Sequence, residues 1–493
     1  MVDAYLALDQ GTTSSRAVVY DAHGRVLGQA QRELTQHFPG PGCVEHDPDE
    51  IFASCVQVLG DAWAAAGRPP VRALGITNQR ETVTVFERAT GKPIHRAIVW
   101  QDRRTAATLA GLRAHAELVR ARAGLPLDPY FSAAKIAWIL DRVEGARARA
   151  ESGELAAATV DAWLVYRLTG GRTFATEPSN ASRTSLFDLH TGAWSDELCD
   201  VFRVPRALLP EVRPSNGDFG RCDPALVGGD FEIRGILGDQ QAALFGHGGV
   251  RAGACKCTYG TGAFMVCNVG DGAPQPHGGL LATVAWRLGD RTTYALEGSI
   301  LVAGAVVQWL RDGLGLVAKA SDVEALARSV GDSGGVVFVP AFAGLGTPDW
   351  DPHARGLIIG LERGTTRAHL ARAALEAIAL QVRDLQLALE TSLGRRLTAL
   401  RVDGGASAND LLLELQAGVS DLAVERPDDL EATARGAFRM AMLAATGDDL
   451  DTLPGATRVV RTFAPAGERA VFGELHARWR RAVERARGWA ATD

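Results

Sequence analysis

The chain opens with two apolar runs, 5–8 and 17–20, separated by the polar knot Asp9-Gln10-Gly11-Thr12-Thr13-Ser14-Ser15-Arg16. Short apolar blocks on either side of such a knot predict strand, tight turn, strand. The layout returns at 256–266, where apolar positions flank Gly260-Thr261-Gly262. Apolar runs at 71–76, 235–237 and 400–402 predict further buried strands, each ending in polar residues. Steps of three and four at Leu375, Ile378, Val382 and Leu385, and again at Phe472, Leu475, Trp479 and Val483, predict helices that bury one stripe. Asp47-Pro48-Asp49-Glu50 has the acids and proline of a helix start. Residues 298–310 also read as a helix, residues 178–182 as a turn, and the charged residues after strand 97–99 as the opening of a helix. Strands interleaved with helices make this an α/β chain. The glycine-rich stretch 246–249 predicts a boundary between two domains, 1–247 and 248–493.

The polar knots carry the chemistry. Gly11 gives backbone freedom, and Thr12, Thr13 and Ser14 set hydroxyls beside backbone N–H groups, an arrangement that cradles phosphate. Arg16 adds a fork of donors suited to phosphate oxygens, and Asp9 a carboxylate where Mg²⁺ would bridge them. Hydroxyls and glycine also fill ordinary turns. A second such turn around Thr261, one in each half, favours a nucleotide over a plain hairpin. Strand ends in open α/β sheets are where ligands bind, so Arg80 and Glu81 after strand 71–76 are candidates to contact a small polar molecule. A surface ion pair is the alternative for them. Trp100 follows a strand in the same way, as a pocket wall or as core. Proline-braced 125–129 delivers Tyr130 to a fixed place. Asp239, between a strand and a helix and beside the boundary, reads as a helix cap or as an acid in an interdomain cleft.

Composition narrows the classes. Of 493 residues, 46% are hydrophobic and 22% charged, enough to bury sizeable cores, and the net charge of -6 gives no reason to expect nucleic acid. Lysine occurs only at Lys92, Lys135, Lys256 and Lys319. None sits in a GxxxxGK[ST] loop, which excludes a P-loop. The seven cysteines match no zinc spacing and read as reduced thiols, with Cys255 and Cys257 packing on one face of a strand. No leader-like start and no apolar run near ~18 residues is present, so neither export nor a membrane span is expected and a cytoplasmic protein is.

Asp9 to Arg16, Asn78-Gln79-Arg80-Glu81-Thr82, Gly238-Asp239-Gln240-Gln241, residues 259–264 and residues 403–409 together resemble the FGGY carbohydrate-kinase family from residue 5 to the C-terminal helix. The second and third motifs resemble its glycerol-phosphorylating branch. The resemblance implies a two-domain actin-like (ribonuclease H-like) ATPase fold with its active site in the interdomain cleft. It further implies ATP and Mg²⁺ as cofactors, glycerol as substrate and a homo-oligomer. On that pattern Thr12, Thr13, Ser14 and Arg16 contact phosphates, with Thr261 facing them, while Gly304, Gln308, Gly405 and Asn409 surround the nucleotide. Arg80, Glu81, Tyr130, Asp239 and Gln240 hold glycerol, and Trp100 and Phe264 cover its carbon face. Asp239 takes the hydroxyl proton, and Asp9 and Asp239 serve the metal.

The chain departs from the family in places. Where some bacterial members carry an arginine that binds fructose 1,6-bisphosphate, this one has Asp230, so that inhibition is not expected. Residues 222–234 contain no histidine, so control by histidine phosphorylation in that region is not expected either. Asp349 and Arg435 are unusual, with the subunit interface or the adenine pocket as the places they would affect. A kinase of a larger polyol or ketose is disfavoured by the bulky Trp100 and Tyr130. A non-catalytic actin-like regulator has no chemical need for both Asp9 and Asp239.

Overall fold

The computed structural model describes residues 3–490 and contains two lobes built on one plan. The first lobe centres on a five-stranded sheet in the order Ile233–Gly238, Val71–Asn78, Ala4–Gln10, Ser14–Asp21, Val26–Glu33. Ala4–Gln10 runs antiparallel to Ser14–Asp21, with Asp9 opposite Arg16, and parallel to Val71–Asn78. The second lobe repeats the order with Ala423–Pro427, Ala399–Asp403, Cys255–Tyr259, Ala263–Gly270 and Arg291–Ile300, then adds a strand at each edge, Val459–Phe463 and Leu281–Leu288. In each lobe the central strand is buried almost throughout, as expected of strands covered by helices on both faces.

A small four-stranded sheet joins Glu45–His46, Ala97–Ile98, Val83–Glu87 and Leu155–Thr159. It flanks the first lobe and leads into the segments that carry Trp100 and Tyr130. The helix Pro48–Ala65 starts at the predicted acids, with the Asp47 carboxylate accepting from the backbone N–H of Asp49 at 2.9 Å. In the second lobe the helix Arg367–Leu393 buries Leu375, Ile378, Val382 and Leu385. No helix among the described residues is long and apolar enough to cross a membrane.

The helix Ala432–Thr446 belongs by sequence to the second half, yet it lies on the sheet of the first lobe and against the helix Asp239–Gly246. Two glycines permit the contact. A Cβ on Gly436 would stand 1.8 Å from the Ala242 carbonyl oxygen, and one on Gly75 2.1 Å from that of Ala437.

Several local expectations need correction. Residues 298–310 are not one helix: Gly298 and Ile300 end a strand, and the helix spans Gly304–Asp312. A short apolar run lacks the length to separate the two periods, and Gly298 is needed in the strand because Leu385 packs over it. After Ala97–Ile98 the chain turns, and its helix begins only at Ala106. Residues 178–182 include a short helix, Pro178–Ala181, capped by the Glu177 carboxylate. In the C-terminal helix Arg469–Ala486, Arg480 pairs with Asp349 at 3.1 Å and Asp384 at 3.0 Å. Asp349 thus ties that helix down. Arg435 reaches Asp429, the Gly24 carbonyl and the Gly455 carbonyl at 2.8, 3.0 and 3.2 Å, and borders neither of the site cavities. Asp230 is paired with Arg221 at 2.7 Å. All seven cysteines are free.

Candidate active site

The two Gly/Thr hairpins face each other across the lobes and wall a cavity of about 500 Å³. Thr12 and Thr13 line it from the first lobe, Gly260, Thr261 and Gly262 from the second, and Asp239 and Gln240 between them. Arg80, Glu81, Trp100, Tyr130, Phe264 and Gln308 complete most of the wall. A second cavity, about 510 Å³, opens beyond Thr261 and shares Gly260, Thr261 and Gln308 with the first. Gly304, Gly405 and Asn409 line it together with the apolar Val307, Val323, Leu375, Ile378 and Leu412. One compartment is polar with aromatic faces and the other is largely apolar, and a threonine hairpin stands at their junction.

Each polar side chain is held by its surroundings. Arg80 is buried, its Nη1 and Nη2 donating to Glu297 at 2.6 and 2.9 Å and Nη1 also to Gln241 at 3.1 Å. Its Nε remains, 3.2 Å from Asp239 Oδ1. Glu81 is buried with φ of 58°, a left-handed conformation that costs a non-glycine residue about 1–3 kcal/mol. Its carboxylate accepts from Arg183 Nε at 2.7 Å, and its carbonyl accepts from Ser132 Oγ at 3.0 Å. Arg183 also reaches Glu297 at 3.1 Å. Two arginines and two glutamates therefore form one buried network. Burial alone would raise the Glu297 pKa, but Arg183 and Arg80 outweigh it and hold that carboxyl down to about 2.

Asp239 begins its helix, and its Oδ1 accepts from the Gln240 backbone N–H at 2.7 Å. Among the described residues no donor engages Oδ2. The turn before it is fixed by Gly238 N–H donating to Ser179 Oγ at 2.8 Å, and Ser179 rests on Glu177. Trp100 donates from Nε1 to Thr12 Oγ1 at 2.9 Å, with its ring edge-on to Tyr130 and Phe264 at 5.6 and 6.0 Å between centroids. Tyr130 is fixed by its N–H to Asp128 at 2.8 Å and by Lys135 Nζ on its carbonyl at 2.6 Å. Gly304 is required where it stands, since a Cβ there would lie 2.5 Å from the Gly260 carbonyl oxygen.

Asp9, Ser14 and Arg16 line neither cavity. Ser14 Oγ accepts from Gln31 at 3.2 Å, and Arg16 reaches across the lobes to Glu431 at 3.2 Å. Asp9 lies in the strand that enters the first hairpin, opposite Arg16. Burial, then the nearby Asp239 and Glu431, push its pKa up to about 7 against the pull of Arg16. Two acids crowded in this way fit a divalent cation, which would relieve their mutual repulsion. The sequence patterns do not single out Glu297, Arg183, Lys256, Gln36, Gln101 or Thr258. Of these Glu297, Arg183 and Lys256 are buried charges, and Gln36, Gln101 and Thr258 are half-buried polar residues.

Two lobes with duplicated sheets, each presenting a Gly/Thr hairpin to a shared cleft, define an actin-like phosphotransferase fold. The family model for the FGGY carbohydrate-kinase N-terminal domain matches residues 4–246, and that for the C-terminal domain matches residues 255–445. The chain belongs to the FGGY family of carbohydrate kinases. It is 54% identical to the glycerol kinase of Alkalilimnicola ehrlichii, with all of both chains covered, and 54% identical to that of Thermus brockianus over 98% of each. Among solved structures it is similar to Plasmodium falciparum glycerol kinase with ADP, with a TM-score of 0.91, 32% identity and 98% of each chain covered.

Proposed function

We propose that the protein transfers the γ-phosphoryl group of ATP to glycerol, giving sn-glycerol 3-phosphate. One observation carries the mechanism: Asp239 stands in a single cavity with both phosphate hairpins. Glycerol has three hydroxyls and a short apolar edge. Glu81 and Asp239 accept from hydroxyls, Arg80 Nε and Gln240 donate to them, and Trp100, Tyr130 and Phe264 enclose the carbon edge. Thr12, Thr13 and Thr261 hold the transferring phosphates at the junction, with Ser14 and Arg16 of the first hairpin as further phosphate contacts. The apolar compartment takes the base, with Gly405, Asn409, Gly304 and Gln308 around the nucleotide.

Phosphoryl transfer depends on positioning and charge neutralisation more than on covalent help. The alcohol oxygen bonds to the γ-phosphorus as the bond to the bridging oxygen of ADP breaks, and the hydroxyl proton passes to Asp239 Oδ2. The Gln240 backbone N–H holds Oδ1, so the other oxygen keeps its aim. Mg²⁺, with Asp9 and Asp239 as its protein ligands, directly or through water, would neutralise phosphate charge. The test is Asp239→Asn, which keeps shape and removes basicity. Loss of ~10²–10⁴ in kcat with unchanged folding is expected. Near-normal turnover by the folded variant would refute the assignment.

A further inference from the structure

The geometry points to Lys256 as a positioning residue that fixes which hydrogen-bonding atoms Gln240 presents to the substrate. Lys256 lies on the strand Cys255–Tyr259 of the second lobe, fully buried, and does not line the substrate cavity. Its ammonium donates to Gln240 Oε1, on the first lobe's helix, and to Thr258 Oγ1 at 2.6 Å. Gln240 and Thr258 both line the cavity. An ammonium has donors and no acceptor, so it binds the oxygen end of the Gln240 amide and forbids the flipped orientation. The NH₂ end is left for the cavity. Thr258 has a lone pair occupied by the same ammonium, and its hydroxyl hydrogen is directed to Asp403, so Gln240 is the donor that faces the cavity.

One wall of the substrate compartment is thereby made a donor surface by a side chain behind it. The same cavity holds the acceptors Glu81 and Asp239. A group seated among them must accept from the donor and donate to the acceptors, as an alcohol does and an ether or an ammonium does not. The inference rests on the phosphotransfer reading above and adds to it the origin of hydroxyl selectivity. Without Lys256, no cation holds the Gln240 oxygen away from the cavity, and the flipped amide would set an acceptor against an acceptor.

The test is a double-mutant cycle of Lys256→Met and Gln240→Met, with steady-state KM measured for glycerol and for ATP and with thermal melts as the folding check. Lys256→Met is expected to raise the glycerol KM by ~10-fold or more, the scale of one misdirected buried hydrogen bond, and to leave the ATP KM unchanged. The double variant should be no worse for glycerol than Gln240→Met alone, because the lysine acts through the glutamine. Lys256→Gln restores one neutral donor and should fall between. If Lys256→Met fails to fold, Lys256→Gln with and without Gln240→Met carries the same comparison. A lysine that merely stiffened the strand leading to Thr261 would raise both KM values, and that result overturns the inference. So does a glycerol KM within about twofold of the parent, or full multiplication of the two single effects. Glycerol turnover with a silent Lys256 variant sinks this inference alone, whereas no glycerol-dependent ADP release by the parent enzyme sinks the phosphotransfer reading with it.

Discussion

The Arg80 guanidinium of the first lobe and the Glu297 carboxylate of the second meet through two hydrogen bonds, 2.6 and 2.9 Å long, with both side chains out of contact with solvent. Arg183 closes the far side of the same carboxylate. The pair holds Arg80 with its Nε 3.2 Å from Asp239 Oδ1 and joins the lobes at the substrate end of the cleft.

Removing one partner of a buried pair leaves a charge without compensation. Glu297→Gln is therefore expected to destabilise the protein by about 3–5 kcal/mol and to raise the glycerol KM more than the ATP KM. Denaturant unfolding and steady-state kinetics check both. Unchanged stability would mean the network is not the clamp described.

Gly405 offers the opposite case. A Cβ there meets no atom within 4 Å, yet the residue lines the apolar compartment. Gly405→Val should leave the melting temperature of the ligand-free protein nearly unchanged and weaken ATP binding by ~10-fold, on the scale of about 1.4 kcal/mol. Calorimetric titration with a nonhydrolysable ATP analogue reads this directly. A large fall in melting temperature with intact affinity would contradict it.

Gly436 has no such room. Gly436→Ala forces the helix Ala432–Thr446 away from Ala242, and overpacking of this kind costs typically 1–3 kcal/mol or more. Lower thermal stability, with loss of activity only in proportion to unfolding, is the expected outcome.

Glu177 gives a pH dependence. Burial outweighs its hydrogen bonds to Ser179 and Ser215 and pushes its pKa up to about 7, from 4.5 when exposed. Between those values the folded state holds a proton that the unfolded state has lost, so this residue's contribution to stability falls as pH rises from 4.5 to 7 and is flat above. Glu177→Gln should remove that slope. Melting temperatures recorded from pH 5 to 8 for both proteins settle it, and parallel curves would refute the shift.

The sequence makes the hairpins legible because their chemistry is local: glycine, hydroxyl and flanking apolar residues lie within a dozen positions. Helices with a buried stripe, such as Arg367–Leu393, are legible for the same reason. The strand and helix within 298–310 blur together because a continuous apolar run satisfies both periods. Glu297 and Arg183 escape notice because their meaning lies in partners far along the chain, and Lys256 because it sits behind a cavity wall formed only by the fold. Arg80 and Glu297 are 217 residues apart, and Lys256, although only 16 residues from Gln240, lies on a strand of the other lobe. Arg435 looks anomalous in its helix until Gly24 and Gly455 appear beside it.

The helix Ala432–Thr446 covers a sheet whose strands all precede residue 239. During synthesis, that sheet face stays bare until more than four fifths of the polypeptide has left the ribosome. A nascent chain cut short before residue 432 would carry an apolar surface with nothing to cover it, so the opening half cannot mature ahead of the closing one.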